Sequence, residues 1–225
     1  MHRYEVEIKS LLGSKEKADA LREKIFALDP AAKLIARNAQ LNHYFEGGDL
    51  RALAETVAHR CLSKEKCLEF EGLAARAKTF SVRTREKDGA VFLIVKASVD
   101  HTTSENGISR IEFEEQVNIP LDALDALILG SGFLYQAKWS REREEYAYRG
   151  ITICLDRNAG YGWLAEFEKM VDRESEAPAA RAELRACMAE LGAEELSQDR
   201  LERMFAFYNS HWQEYYGTDK VFTVL

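Results

Sequence analysis

Glu5-Val6-Glu7-Ile8-Lys9 alternates charged and apolar residues without a break. Side chains at i and i+2 of a strand share a face, about 6.5 Å apart, so this segment reads as a strand with one fully charged face. The pattern returns at Arg83-Thr84-Arg85, Arg110-Ile111-Glu112-Phe113-Glu114, Arg141-Glu142-Arg143 and Glu166-Phe167-Glu168. An ordinary wet sheet face also alternates. It should mix signs along each strand, however, because like charges that close repel while opposite charges attract. Carboxylate pairs on some strands and guanidinium pairs on others point instead to a site that holds both metal ions and a polyanion.

Around these segments the chain reads as α+β. Ser14 can cap a helix carrying Ala18, Leu21, Ile25 and Leu28, stopped at Asp29-Pro30. A strand over 40–45 leads into Glu46-Gly47-Gly48, and Asp49 starts a helix with Leu53 and Val57 inward. Residues 64–78 are charged and poorly periodic, a mixture of loop and helix. Strands at 80–85 and 91–97 flank the hairpin turn Lys87-Asp88-Gly89. Another strand covers 109–117, Pro120 opens a helix ended by Gly130, and strands follow at 134–146, 151–156 and 164–171. Eight antiparallel strands with one charged and one apolar face can close into a barrel with the charges inside and the helices packed outside. Compensating ions, water and ligand make such an interior tolerable.

Composition narrows the function classes. The 225 residues are 46% hydrophobic and 31% charged with a formal net charge of −7, which argues against a nucleic-acid binder. No apolar run approaches a membrane span, and no apolar signal segment leads the sequence. Cys61, Cys67, Cys154 and Cys187 lack zinc-ligand spacing, so the expectation is reduced thiols in a cytoplasmic protein. Past residue 174 the character changes: Leu184, Cys187, Met188 and Leu191 form a helical stripe closed by Gly192. Ser197 can cap a further helix with Leu201, Phe205, Tyr208 and Trp212 on one side. That aromatic stripe reads as core packing before it reads as a base-stacking surface. The expected division is a barrel domain over 1–173 and a helical extension over 174–225, covering one barrel mouth or forming a homodimer contact.

These residues resemble the CYTH family, the triphosphate tunnel metalloenzymes that include class IV adenylate cyclases and thiamine triphosphatases. The family's N-terminal Glu-x-Glu-x-Lys is matched by Glu5, Glu7 and Lys9. The series continues through Tyr44-Phe45, Arg83 and Arg85, Lys96, Arg110 with Glu112 and Glu114, Arg141 with Arg143, Asp156, Gly162 and Glu166-x-Glu168. The likeness covers residues 3–171. The 47–80 link is longer than usual, and Gly160-Tyr161-Gly162 replaces a leucine-glycine pair.

The resemblance implies a closed eight-stranded tunnel holding Mg²⁺ or Mn²⁺ on Glu5, Glu7, Glu166 and Glu168, with Glu112 and Glu114 in support. Oxygen ligands suit these hard cations. Lys9, Arg83, Arg85, Lys96, Arg110, Arg141 and Arg143 would grip a small-molecule triphosphate, with Lys138 competing for a place beside the last two. Arginine forks match phosphate oxygens two at a time. Lys9 has three readings: a phosphate contact, a catalytic base for the nucleophile, or a plain ion pair with Glu7. Of the histidines, only His43 stands near the charged wall. The implied activity is metal-dependent hydrolysis of inorganic triphosphate, thiamine triphosphate or a nucleoside triphosphate. Cyclisation of ATP to cyclic AMP, non-catalytic polyphosphate binding and a plain β-structured interaction module are the alternatives.

Overall fold

The computed structural model of the chain describes residues 4–58, 60–98 and 111–223. Its elements run β1 (Tyr4–Leu11), α1 (Lys15–Leu28), β2 (Lys33–Gly47), α2 (Leu50–Ala58), α3 (Lys64–Arg76), β3 (Thr79–Lys87), β4 (Ala90–Ser98) and β5 (Ile111–Val117). After these come α4 (Leu121–Gly130), β6 (Phe133–Tyr148), β7 (Ile151–Asn158), β8 (Gly162–Val171), α5 (Ala177–Leu191) and α6 (Gln198–Tyr215). The strands form one antiparallel sheet in the order β1-β8-β7-β6-β2-β3-β4-β5. The closed barrel is corrected: among the described residues the order ends at β1 and at β5, and the sheet is open. Alternation fixes which face of a strand is wet, but it says nothing about whether an edge strand finds a second partner.

The contacts divide the chain into two compact units, Met1–Ala39 with Trp139–Leu225, and Gln40–Lys138. In the first, Val6 and Ile8 are buried on one face of β1 while Glu5 and Glu7 are exposed on the other. α5 packs on β1 and β8, and α1 packs on β8 and α5, covering that apolar face. Ser14 caps α1 through its Oγ, which accepts from Lys17 N at 3.4 Å, and Asp29 ends the helix. α6 sets Tyr208 against Trp139, ring centroids 3.7 Å apart and 22° from parallel, beside Tyr161 and Phe222. Tyr208 is fully buried there, whereas Leu201 and Trp212 are half-buried and Phe205 is exposed, so the expected packing stripe is core only at Tyr208.

In the second unit β2, β3, β4 and β5 carry α2, α3 and α4 on their apolar face. Phe45, Leu53, Phe70, Val82, Leu93, Phe113, Leu124 and Phe133 make the core, each side chain worth about 1.5–3 kcal/mol when fully buried. The β3–β4 turn uses Asp88 (φ 50°) and Gly89 (φ 84°), the pair of left-handed residues that a tight hairpin with native twist demands. Residues 64–76, read as mixed loop and helix, form a regular α3 capped by Ser63. β2 is much longer than the 40–45 segment; of the strand expected over 109–117, Ile111–Val117 form β5, and 109 and 110 lie outside the described residues.

Candidate metal and phosphate site

In the first unit, strand register assembles the charges. Glu7 lies opposite Glu168 and Lys9 opposite Glu166 across β1 and β8, and Arg143 lies opposite Asp156 across β6 and β7. Period-two alternation turns all of them to one sheet face, the one opposite Val6 and Ile8. Glu5, Glu7 and Glu168 each offer an oxygen within 4.8 Å of the others. Three carboxylates that close repel strongly unless a cation or a proton lies among them. Burial, then Glu5 and Glu166, push the Glu168 carboxyl up to about 7, with Arg143 opposing. A hard divalent cation fits this all-oxygen set.

Beside it lies a basic row. The Arg143 fork donates Nε to Asp156 Oδ1 at 2.7 Å and Nη2 to Asp156 Oδ2 at 2.6 Å, and Arg141 Nη1 reaches the same carboxylate at 3.1 Å. Asp156 is fully buried, so this bidentate pairing is what makes its charge tolerable. Arg143 also pairs with Glu166, whose Oε1 sits 3.0 Å from Lys9 Nζ. Burial works to raise the Glu166 carboxyl, but Lys9, Arg143 and Arg141 outweigh it and hold it at about 2. Glu166 is thus the counter-charge of the basic row, and the three-carboxylate group forms without it. Lys9 pairs with Glu7 as well. Its ammonium therefore joins the carboxylates of the acidic group to the guanidinium row.

The second unit holds the other expected residues. Arg83, Arg85 and Lys96 are half-buried there. Arg83 Nη1 donates to Tyr44 Oη at 2.9 Å, and Arg85 Nε donates to Asn42 Oδ1 at 3.1 Å. Glu114 lies 3.5 Å from Arg85 and Glu112 3.2 Å from Lys96, so these two acids serve basic neighbours within the unit. The Arg83 Nε is buried with no hydrogen-bond partner among the described residues, an orphaned donor of the kind an anionic ligand satisfies. Lys138 stands over the Tyr135 ring, 4.0 Å from its centroid and 3.9 Å from Asp125 Oδ2. Arg110 falls outside the described residues.

Sequence reasoning passed over three participants. Cys154 sits 3.7 Å from Glu168 and is buried, which pushes its thiol well above the ordinary value. Asp156 was noticed but given no role, although one acid closing the apolar run Ile151-Thr152-Ile153-Cys154-Leu155 was the available signal. Asp125, buried on α4 and bonded to His43, carried no signal beyond lying in an apolar helix.

The CYTH domain profile matches residues 67–201. The chain belongs to the CYTH family. Adenylate cyclases and triphosphatases make up that family's enzymes, so its chemistry concerns triphosphates. Solved structures agree on the CYTH fold. A Pyrococcus horikoshii protein shares 24% identity, with 87% of this chain and 94% of that one covered, at a TM-score of 0.57. A conserved hypothetical protein of Pyrococcus furiosus shares 18%, covering 87% and 93%, at 0.56. A candidate adenylate cyclase from Vibrio parahaemolyticus shares 16%, covering 92% and 99%, at 0.58. No curated protein matches the chain by sequence. Among the described residues no helix is long and apolar enough to cross a membrane.

Proposed function

We propose that this CYTH protein hydrolyses a triphosphate with the help of Mg²⁺ or Mn²⁺ held by Glu5, Glu7 and Glu168. One observation carries the reading: three mutually close carboxylates stand beside Lys9, Arg141 and Arg143 on one sheet face. When bound there, a divalent cation supplies neutralisation of phosphate oxygens and a more acidic coordinated water. Arg141 and Arg143 offer guanidinium donors to the phosphate chain, and Lys9 adds an ammonium donor. Arg83, Arg85 and Lys96 are assigned phosphate contacts on their chemistry and their place in the family pattern, and Arg110 on that pattern alone. Glu166 keeps the basic row in place, while Glu112 and Glu114 balance Lys96 and Arg85.

A pure anion receptor gains nothing from crowded carboxylates next to its ligand. Hydrolysis is preferred over cyclisation because water is always available, whereas cyclisation also requires a fixed ribose and a base pocket. The test is incubation with inorganic triphosphate, thiamine triphosphate and ATP, with and without Mg²⁺ or Mn²⁺. Metal-dependent release of orthophosphate supports the proposal. Release of pyrophosphate with cyclic AMP replaces it with cyclisation, and binding without turnover replaces it with a receptor.

A further inference from the structure

The arginine pair of the second unit is held from behind. β2 and β3 place Asn42 opposite Arg85, His43 opposite Thr84, and Tyr44 opposite Arg83. Alternation sends the outer two pairs to one face, where Asn42 and Tyr44 hold the two guanidinium groups, and the middle pair to the other. On that far face the α4 carboxylate Asp125 spans both members of the middle pair. Its Oδ1 accepts from Thr84 Oγ1 at 2.8 Å; its Oδ2 lies 2.6 Å from His43 Nδ1 and accepts from Tyr135 Oη at 2.7 Å. Asp125, His43 and Thr84 are all buried.

We propose that Asp125 is a positioning residue for phosphate binding, clamping the His43–Thr84 cross-strand pair so that Arg83 and Arg85 on the opposite face keep their aim. The inference rests on the functional reading above. Stability alone does not call for such a cluster, because apolar side chains of similar shape in place of a buried polar group and its partners are often nearly neutral. What hydrogen bonds add is direction. Apolar contacts hold strands at a distance but tolerate sliding; a carboxylate bonded to both partners fixes their register and tilt. Groups that bind or orient a reacting ligand must be held to about 0.5 Å, and their neighbours supply that precision. Here the carboxylate acts through two backbone segments, one residue away from each arginine and from each arginine's own partner.

The test compares Asp125→Asn, Thr84→Val and Thr84→Ser with the parent protein, using inorganic triphosphate as substrate. Asp125→Asn and Thr84→Val are expected to raise KM about tenfold, a coupling typical of groups within one network, with kcat nearly unchanged. Thr84→Ser, which keeps the hydroxyl, should restore the parent KM. Without substrate, the arginine Nε–H NMR signals of Arg83 and Arg85 should move in the first two variants while those of Arg141 and Arg143 stay. A lowered Tm with unchanged KM and unmoved signals overturns the proposal, leaving packing alone. If Asp125→Asn does not fold, the two Thr84 variants decide. If the parent protein turns over no triphosphate, the functional reading fails, and the NMR signals alone then decide: movement supports the clamp and stillness rejects it.

Discussion

Arg143 is where single-residue changes should do most damage. It answers two buried carboxylates at once, Asp156 through its fork and Glu166 through Nη2. Opposition of burial by both acids raises its guanidinium pKa further, so the charge is never surrendered. Arg143→Met should destabilise the fold by about 3–5 kcal/mol, the loss expected when a buried charge is stranded. Converting Asp156 to Leu in the same chain should recover part of it, because the worst stranded charge is then gone. Urea titration measures both, and a loss below about 1 kcal/mol in the single variant would mean water reaches the site. Glu7 and Glu168 behave differently. Glu7→Gln or Glu168→Gln removes charge from a crowded group, so the fold should persist while metal-dependent turnover disappears. Orthophosphate release and thermal unfolding of each variant check this pair of outcomes.

At the scale of elements, two attachments make separable predictions. α4 is tied to its sheet through Asp125. Burial raises that carboxyl, but His43, Tyr135 and Thr84 outweigh it and hold it below its ordinary 3.8. A carboxylate with a lowered folded pKa contributes stability that is present above 3.8 and lost as pH falls through the folded value. Denaturation curves should therefore show the gap between parent and Asp125→Asn shrinking below that pH; a constant gap would mean Asp125 carries its proton throughout. The second attachment joins the C-terminal tail to the β7–β8 turn. Gly160 N donates to Lys220 O at 3.0 Å, and Phe222 N donates to Gly160 O at 2.8 Å. A Cβ on Gly160 would meet the Phe222 and Tyr208 rings at 2.8 Å, in a backbone of φ 80°. Gly160→Ala should cost about 1–3 kcal/mol and speed hydrogen exchange at 160 and 222. Unchanged exchange would detach the tail from the turn.

Elements also show where sequence reading succeeds and stops. Ser14, Asp88-Gly89, Pro120 and Gly192 act within a few residues of themselves, and their helix ends and hairpin turn were read from the sequence. The N-terminal half of β2 was not, because Arg37 and Asn38 break its apolar pattern and Leu34 and Ile35 are exposed. α3 hid its buried Phe70, Leu73 and Ala74 among charged neighbours. The charged face of β1 was evident from five residues, yet the convergence of Glu5, Glu7 and Glu168 depends on register between strands about 160 residues apart. The diversion of Glu166 to Lys9 and Arg143, and of Glu112 and Glu114 to Lys96 and Arg85, depends on side-chain geometry that no spacing encodes.

For the whole molecule the decisive measurement is stability against metal. A ligand that binds only the native state stabilises it by RT ln(1 + [L]/Kd), about 2.7 kcal/mol at a hundredfold excess over Kd. In a chain of this size about 1 kcal/mol moves Tm by about 2–4 °C, so saturating Mg²⁺ or Mn²⁺ should raise Tm by about 5–10 °C. Relief of the Glu5–Glu7–Glu168 repulsion is the source of that gain, and chelation with EDTA should reverse it. The formal net charge of −7 attracts cations generally, so monovalent salt at matched ionic strength is the control. Location within the chain follows from two variants. Glu7→Gln should abolish the metal-induced rise, whereas Glu112→Gln with Glu114→Gln should keep it, since those two acids balance Lys96 and Arg85. The reverse pattern would move the metal to the second unit.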